Sequence, residues 1–255
     1  MQINSTPLRQ EQLSFDEQLV RKTGLDLIQS VQRWKKGKLY KFPLEPLNCT
    51  EDSKCEVQTY GETIDGDYWL CRQSTHNITP ENYRKVVQVL NGSQWDQQAG
   101  KWDLSDTAAR SKQEQEYIEV LSKCHVTKQV AENGLGWVLV NLEYELGKPL
   151  TTREFNEWVC PLAPVVCQEQ GLETSLVVSL VADEQIRDPV NHTRAHYASV
   201  EQLKYDRTSH VLEWTMCTTS DAGGNVPKWI QNATIARTVV KDVPYLLNWM
   251  QKRGD

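Results

Sequence analysis

Two stretches set side chains with binding chemistry on a common side of the chain. In "DYWLCRQS" (67–74), Tyr68, Leu70, Arg72 and Ser74 alternate with Trp69, Cys71 and Gln73, and in "AHYASVEQLK" (195–204) Tyr197, Ser199 and Glu201 fall on one face. Such alternation marks strands, because successive side chains point to opposite faces of a sheet. If both faces point inward, Arg72 and Glu201 pair with each other or hold the polar head of a ligand. If they point outward, the same charges are simply solvated.

Residues for covalent or acid–base chemistry are less organised. His76, His125, His192, His196 and His210 are spread over loops and strand ends without the spacing of a triad or a metal site. Asp242, beside an apolar helical stripe, is the stray acid an enzyme would use, and its plainer role is a salt bridge at the stripe's edge. Seven cysteines, at 49, 55, 71, 124, 160, 167 and 217, include no C-x-x-C pair, so free thiols in a reducing compartment are expected and no metal or other cofactor. The run "TTSDAGGNVPKWIQNATIA" (218–236) fits neither phosphate-binding fingerprint and lacks the G-x-S-x-G of a nucleophile elbow. Gly223 and Gly224 there allow a sharp reversal, Asn225 caps a helix, Pro227 takes its first turn and Trp229 opens its apolar face.

The elements that must position these groups follow from periodicity. Residues 8–36 carry apolar side chains at helical spacing, with Gly24 a weak point at the centre. That helix is expected to run out in "RWKKGKLYKF", where Arg33, Lys35, Lys36, Lys38 and Lys41 interleave with Trp34 and Tyr40. These cations suit a solvated helix end, and alternatively a transient contact with an anionic membrane surface. A polar connector is expected over 43–66, the strand 67–74 next, and then a helix capped by Thr79 with Pro80 at its first position. Residues 91–113 read as a mobile loop. From 115 the chain turns to strands, with "ENG" at 132–134 as a hairpin turn and Thr151 with Glu154 as the capping box of a short helix. Further strands are expected at 174–182, 195–204 and 210–219. Finally, apolar residues from Val226 to Met250 recur at steps of three and four, which predicts one long helix kinked at Pro244. Many sequential strands mean an antiparallel sheet, and a helix that long needs a broad sheet curved around it.

Composition narrows the function classes. The chain has 255 residues, 39% hydrophobic and 24% charged, with a net charge of −6 and no basic stripe through its middle, which argues against a nucleic-acid partner. Nine tryptophans against three phenylalanines suit a core with a partly polar lining. The first twenty residues contain no signal-like apolar run and no stretch is long enough to span a bilayer, so a cytoplasmic protein, at most peripheral to membranes, is expected. On that reading the six N-x-[ST] sequons are coincidental.

The segments "DYWLCRQSTH", "GKPLTTREF", "HYASVE" and "EWTMCTTSDAGGNVPKWIQN…VVKDVPYLLNWMQK", in this order, resemble the fungal START-like family, a helix-grip branch of the Bet v 1-like superfamily whose function is unknown. The resemblance covers nearly the whole chain and is strongest over 209–252. It implies an α+β fold, a curved antiparallel sheet wrapped around a long C-terminal helix, with an N-terminal helical extension and connector over 1–60 and the START-like domain over 61–255. It further implies a cavity between sheet and helix for a lipid, sterol or other apolar molecule. The residues expected to line it are Arg72, Tyr197, Ser199 and Glu201 on the strands and Trp229, Ala233, Ala236 and Val240 on the helix. Non-catalytic carriage or sensing of such a ligand is the leading expectation. An enzyme of the same fold, a cyclase or hydrolase, is the alternative, and a protein-interaction module a third.

Overall fold

The computed structural model describes residues 1–44, 54–145, 151–224 and 228–253, the side chains of the last segment from residue 234 onward. After a 3-10 turn at Gln10–Gln12 come α1 (Glu17–Ser30), a second 3-10 turn at Val31–Arg33, and β1 (Lys35–Pro43), β2 (Lys54–Ile64) and β3 (Asp67–Asn77). Then follow α2 (Pro80–Leu90), the short strands β4 (Gln94–Asp96) and β5 (Lys101–Asp103), and α3 (Ala109–Glu114). The second half is β6 (Leu121–Glu132), β7 (Leu135–Tyr144), β8 (Thr152–Cys167), β9 (Leu172–Val181), β10 (His192–Asp206), β11 (Val211–Asp221), α4 (Lys228–Val239) and α5 (Asp242–Lys252).

Nine strands form one sheet in the order β1-β2-β3-β11-β10-β9-β8-β7-β6, with a short extra parallel pairing of β8 and β10. One face packs on α1 and the other on α2, α3 and α5. On the α1 side, Gly24 is buried where the helix crosses the sheet, and a Cβ there would lie 3.3 Å from Val200 Cγ1. The residue expected to weaken the helix is thus the one that lets it seat closely. On the inner face a single apolar cluster joins Val57 of β2 to Val138 and Val140 of β7, with Val243, Leu246 and Met250 of α5 among them. Those strands stand six apart in the sheet order, about 29 Å if the sheet were flat, so the sheet curls around the helices.

Several local readings hold. The Thr79 hydroxyl accepts from the Asn82 amide at 3.2 Å and Pro80 opens α2. Asn133 and Gly134 both have positive φ (52° and 81°) in the β6–β7 turn.

Others are corrected. The basic stretch after Arg33 is no helix end: β1 is an edge strand, its lysines facing solvent while Tyr40 and Phe42 lean on the core. Charged edges of this kind discourage pairing with another chain. The expected connector supplies β2, hydrogen-bonded along β3, and its residues 45–53 lie outside the described residues. The expected loop over 91–113 contains the β4–β5 hairpin, closed by Trp95 and Trp102 at cross-strand positions with ring centroids 5.3 Å apart, and then α3. The strand foreseen from 115 begins only at Leu121, after turns.

The capping box yields no helix either. Thr151 Oγ1 is engaged with Thr193 Oγ1 at 2.6 Å, and the Glu154 carboxylate accepts from Asn141 Nδ2 and from the Arg187 amide, each at 2.6 Å. Both would-be caps serve tertiary partners while Phe155, Trp158 and Val159 extend as β8. The C-terminal helix is two helices rather than one kinked rod. The ring of Pro244 would collide with the Val240 carbonyl in a continuous helix, and the chain breaks at Val240–Lys241, which leaves the proline in the first turn of α5.

Candidate functional site

Arg72 of β3, Met216 of β11 and Glu201 of β10 stand in one row across three adjacent strands, all pointing to the inner face. Over the sulfur of Met216, Arg72 Nη2 donates to Glu201 Oε1 at 2.9 Å. The guanidinium lies on the Trp214 ring, 4.5 Å from its centroid, and Trp214 Nε1 donates to the same Glu201 oxygen at 2.8 Å. The other carboxylate oxygen faces Arg110 Nη2 of α3 at 3.4 Å, and Arg110 in turn donates to the Leu90 carbonyl and pairs with Glu114. Asp242, at the start of α5, approaches Arg72 to 3.9 Å. Arg72 is 1% exposed, yet its Nε and Nη1 have no hydrogen-bond partner among the described residues.

The surroundings set the charge of this cluster. Burial, reinforced by Glu114 and only partly opposed by Arg110 and a hydrogen bond from Ser179, pushes Glu157 up to about 8. Burial also pushes Asp242 up to about 7, against the pull of Arg72. Glu114 is raised by the same desolvation. For Arg110, burial disfavours the cation, but Glu114 and Glu201 more than offset it and keep the guanidinium charged. The Tyr197 phenol, whose hydroxyl lies 3.5 Å from Met216 Sδ, is held protonated by burial and by Glu157. Near neutral pH the inner face therefore sets a largely neutral Glu157, a half-neutral Asp242 and protonated phenols beside the Arg72–Glu201–Arg110 ion pairs. It is rich in hydrogen-bond donors.

Of the residues expected at a site, Arg72, Tyr197, Ser199 and Glu201 do share the inner face. Val240 is fully packed into the core, and Ala236 is half-buried against a small cluster of Leu70, Met216 and Val239. The side chains of Trp229 and Ala233 lie outside the described residues, as do Asn225 and Pro227. Three of the five histidines have a side-chain partner outside the Arg72 cluster: His76 with Ser74, His192 with Glu154 and His210 with Tyr205. Arg110, Glu114 and Glu157 were not foreseen. Glu157 was detectable in principle, since Phe155, Glu157 and Val159 alternate inward along β8. The i,i+4 pair of Arg110 and Glu114 looks like any solvated helix pair.

Two clefts flank the cluster without being lined by it: one of about 290 Å³ under the N-terminal end of α2, and one of about 260 Å³ between Lys85, Gln113 and Trp249. The fold has counterparts among solved structures. Human StAR-related lipid transfer protein 5 matches with a TM-score of 0.61 at 8% identity, over 94% of this chain and 98% of that one. Human STARD10 matches at 0.56 and 11% identity, over 94% and 84%. The lipid transfer and protein localization domain of human StarD13 matches at 0.51 and 12% identity, over 93% and 97%. At such identities the likeness is one of fold, and the fold is the START helix grip. No curated protein matches by sequence. A profile for a protein family of unknown function, DUF3074, matches residues 69–250, and the chain belongs to that family.

Proposed function

We propose that the chain binds a lipid, sterol or other apolar ligand without chemically altering it, in the space between the inner face of the sheet and helices α4 and α5. The proteins that share its fold are named for lipid transfer, which supports the class of ligand. The observation that carries the reading is Arg72: a 1% exposed guanidinium whose Nε and Nη1 lack hydrogen-bond partners among the described residues, amid Glu201, Trp214 and Tyr197. Leaving buried donors unmade is costly, and a ligand head group with acceptor oxygens would satisfy them while its apolar body meets the core. Native mass spectrometry and lipid extraction of the purified full chain test this: a stoichiometric co-purifying or reloaded lipid supports it. An empty protein that takes up none of a broad lipid panel sinks it.

The enzyme reading keeps one specific support, the raised carboxyls of Glu157 and Asp242, which near neutral pH could hold a proton to donate. Turnover of a bound apolar ester or polyketide, lost in Asp242→Asn and Glu157→Gln, would establish it in place of simple carriage. Transient membrane contact through Arg33, Lys35, Lys36 and Lys38, all exposed at the start of the edge strand β1, completes the proposal. Replacing the three lysines by glutamine should lower sedimentation with phosphatidylserine vesicles; equal sedimentation removes this part.

A further inference from the structure

The cleft of about 290 Å³ is separate from the Arg72 cluster and differs in chemistry. Its walls are aromatic. Tyr83 stacks on Tyr205 with centroids 4.2 Å apart and meets Trp102 edge-on at 6.1 Å, and Trp102 meets Trp95 at 5.3 Å. Arg84 lies over the Trp95 ring, 4.8 Å from its centroid, and Arg207 is exposed at the rim. Neither guanidinium forms an ion pair among the described residues. The Tyr83 hydroxyl, on a residue only 2% exposed, has no hydrogen-bond partner among the described residues. The one carboxylate in the cleft, Glu173, is 6% exposed and accepts from Trp102 Nε1.

We propose that this cleft is a second binding site, for a small ligand that joins a planar ring to an anionic group. These rings touch one another and form a continuous aromatic wall, and the half-buried Trp95 and Trp102 leave surface on it against which a planar ring can lie, stacking adding to its burial. Two guanidinium groups at the mouth, neither in a close ion pair among the described residues, can recognise a carboxylate or phosphate by planar donor forks suited to both. The unpartnered Tyr83 hydroxyl supplies a polar contact on the floor. Glu173 opposes the anion in part: burial raises its carboxyl above the usual range, while the hydrogen bond from Trp102 and the charges of Arg207 and Arg84 favour its ionised form. The site neither requires nor uses the Arg72 cluster, so it does not depend on the lipid reading.

Calorimetric titration of the full chain decides it, with indole-3-acetate and 5′-AMP as the ring anions and with indole, cyclohexylacetate and inorganic phosphate as controls. At least one ring anion should bind with Kd below about 1 mM, and about tenfold more tightly than any control. Preference between the two identifies whether a carboxylate or a nucleoside phosphate is the better fit. Arg207→Gln, at an exposed position, and Arg84→Gln should each weaken binding about tenfold, the loss of one charge-assisted bond. Tyr83→Phe should weaken it severalfold. Unchanged melting temperature and unchanged lipid retention in these variants keep the result specific to the cleft. Ring anions that bind no better than the controls, or binding untouched by both arginine variants, would overturn the proposal.

Discussion

Arg72 and Glu201, 129 residues apart in sequence, meet at 2.9 Å across β11, with both side chains almost wholly buried. The pair spans the middle of the inner face and ties β3 to β10 over the top of Met216. Removing either charge strands the other in a medium that solvates it poorly. Arg72→Met or Glu201→Leu alone should cost about 3–5 kcal/mol in urea unfolding, and the double variant should recover part of that. Additive losses in the cycle would show that the two charges are not energetically coupled.

Stability should fall as pH rises through the neutral range. The unfolded chain releases the Glu157 proton near its ordinary value of 4.5, whereas the folded chain holds it up to about 8. Between these values the unfolded state binds fewer protons, so each step up in pH favours unfolding. Asp242 acts with the same sign, between its ordinary 3.8 and about 7. Glu157→Gln should flatten the decline and unfold at higher urea than the parent at pH 8, with a smaller difference at pH 5. A slope that the substitution leaves unchanged would place the titration elsewhere.

The two glycines before α4 should respond differently to alanine. Gly223 has φ of 65°, and a Cβ there would come within 2.1 Å of the Arg194 carbonyl oxygen. Gly224 has φ of 67° but its nearest neighbour would be Thr193 Cγ2 at 3.6 Å. Gly224→Ala should therefore cost about 1 kcal/mol, the left-handed backbone alone, and Gly223→Ala about 2 kcal/mol or more. Chemical denaturation ranks them, and the reverse order contradicts this account of the turn.

Bulk on one side of α4 should block the ligand. Ala236 rests half-buried against Leu70 and Met216, next to Arg72, whereas Thr234 is exposed. Ala236→Trp is expected to cut lipid retention about tenfold or more with the circular dichroism spectrum preserved, and Thr234→Trp to leave it intact. Equal retention in both would mean that this face of α4 does not border the ligand.

How far the sequence carried depended on whether a signal was local. The Thr79–Pro80 start of α2 and the Asn133–Gly134 turn are decided within four residues, and both are legible. Alternation put Arg72 with Ser74, and Glu201 with Tyr197 and Ser199, on common faces but left open which way they point, and only the packing of the helices decides it. The capping box failed because the carboxylate of Glu154 finds His192, 38 residues away, at 2.7 Å. Trp95 and Trp102 looked like isolated aromatics in a polar stretch until the hairpin set them opposite each other. Arg110 resembled a surface residue because two of its partners, Leu90 and Glu201, are 20 and 91 positions away. Apart from the Trp95–Trp102 hairpin, these misses rest on contacts between distant residues.

The break at Val240–Lys241 gives the C-terminal segment two mechanical roles. α5 is nailed to the core through Val243, Leu246 and Met250 and should exchange its amides only when the whole domain unfolds. The described half of α4 buries only Val239 just before the break. For the proposed ligand, the least costly way in would be a displacement of α4 about this break while α5 stays seated, so entry need not await unfolding of the domain.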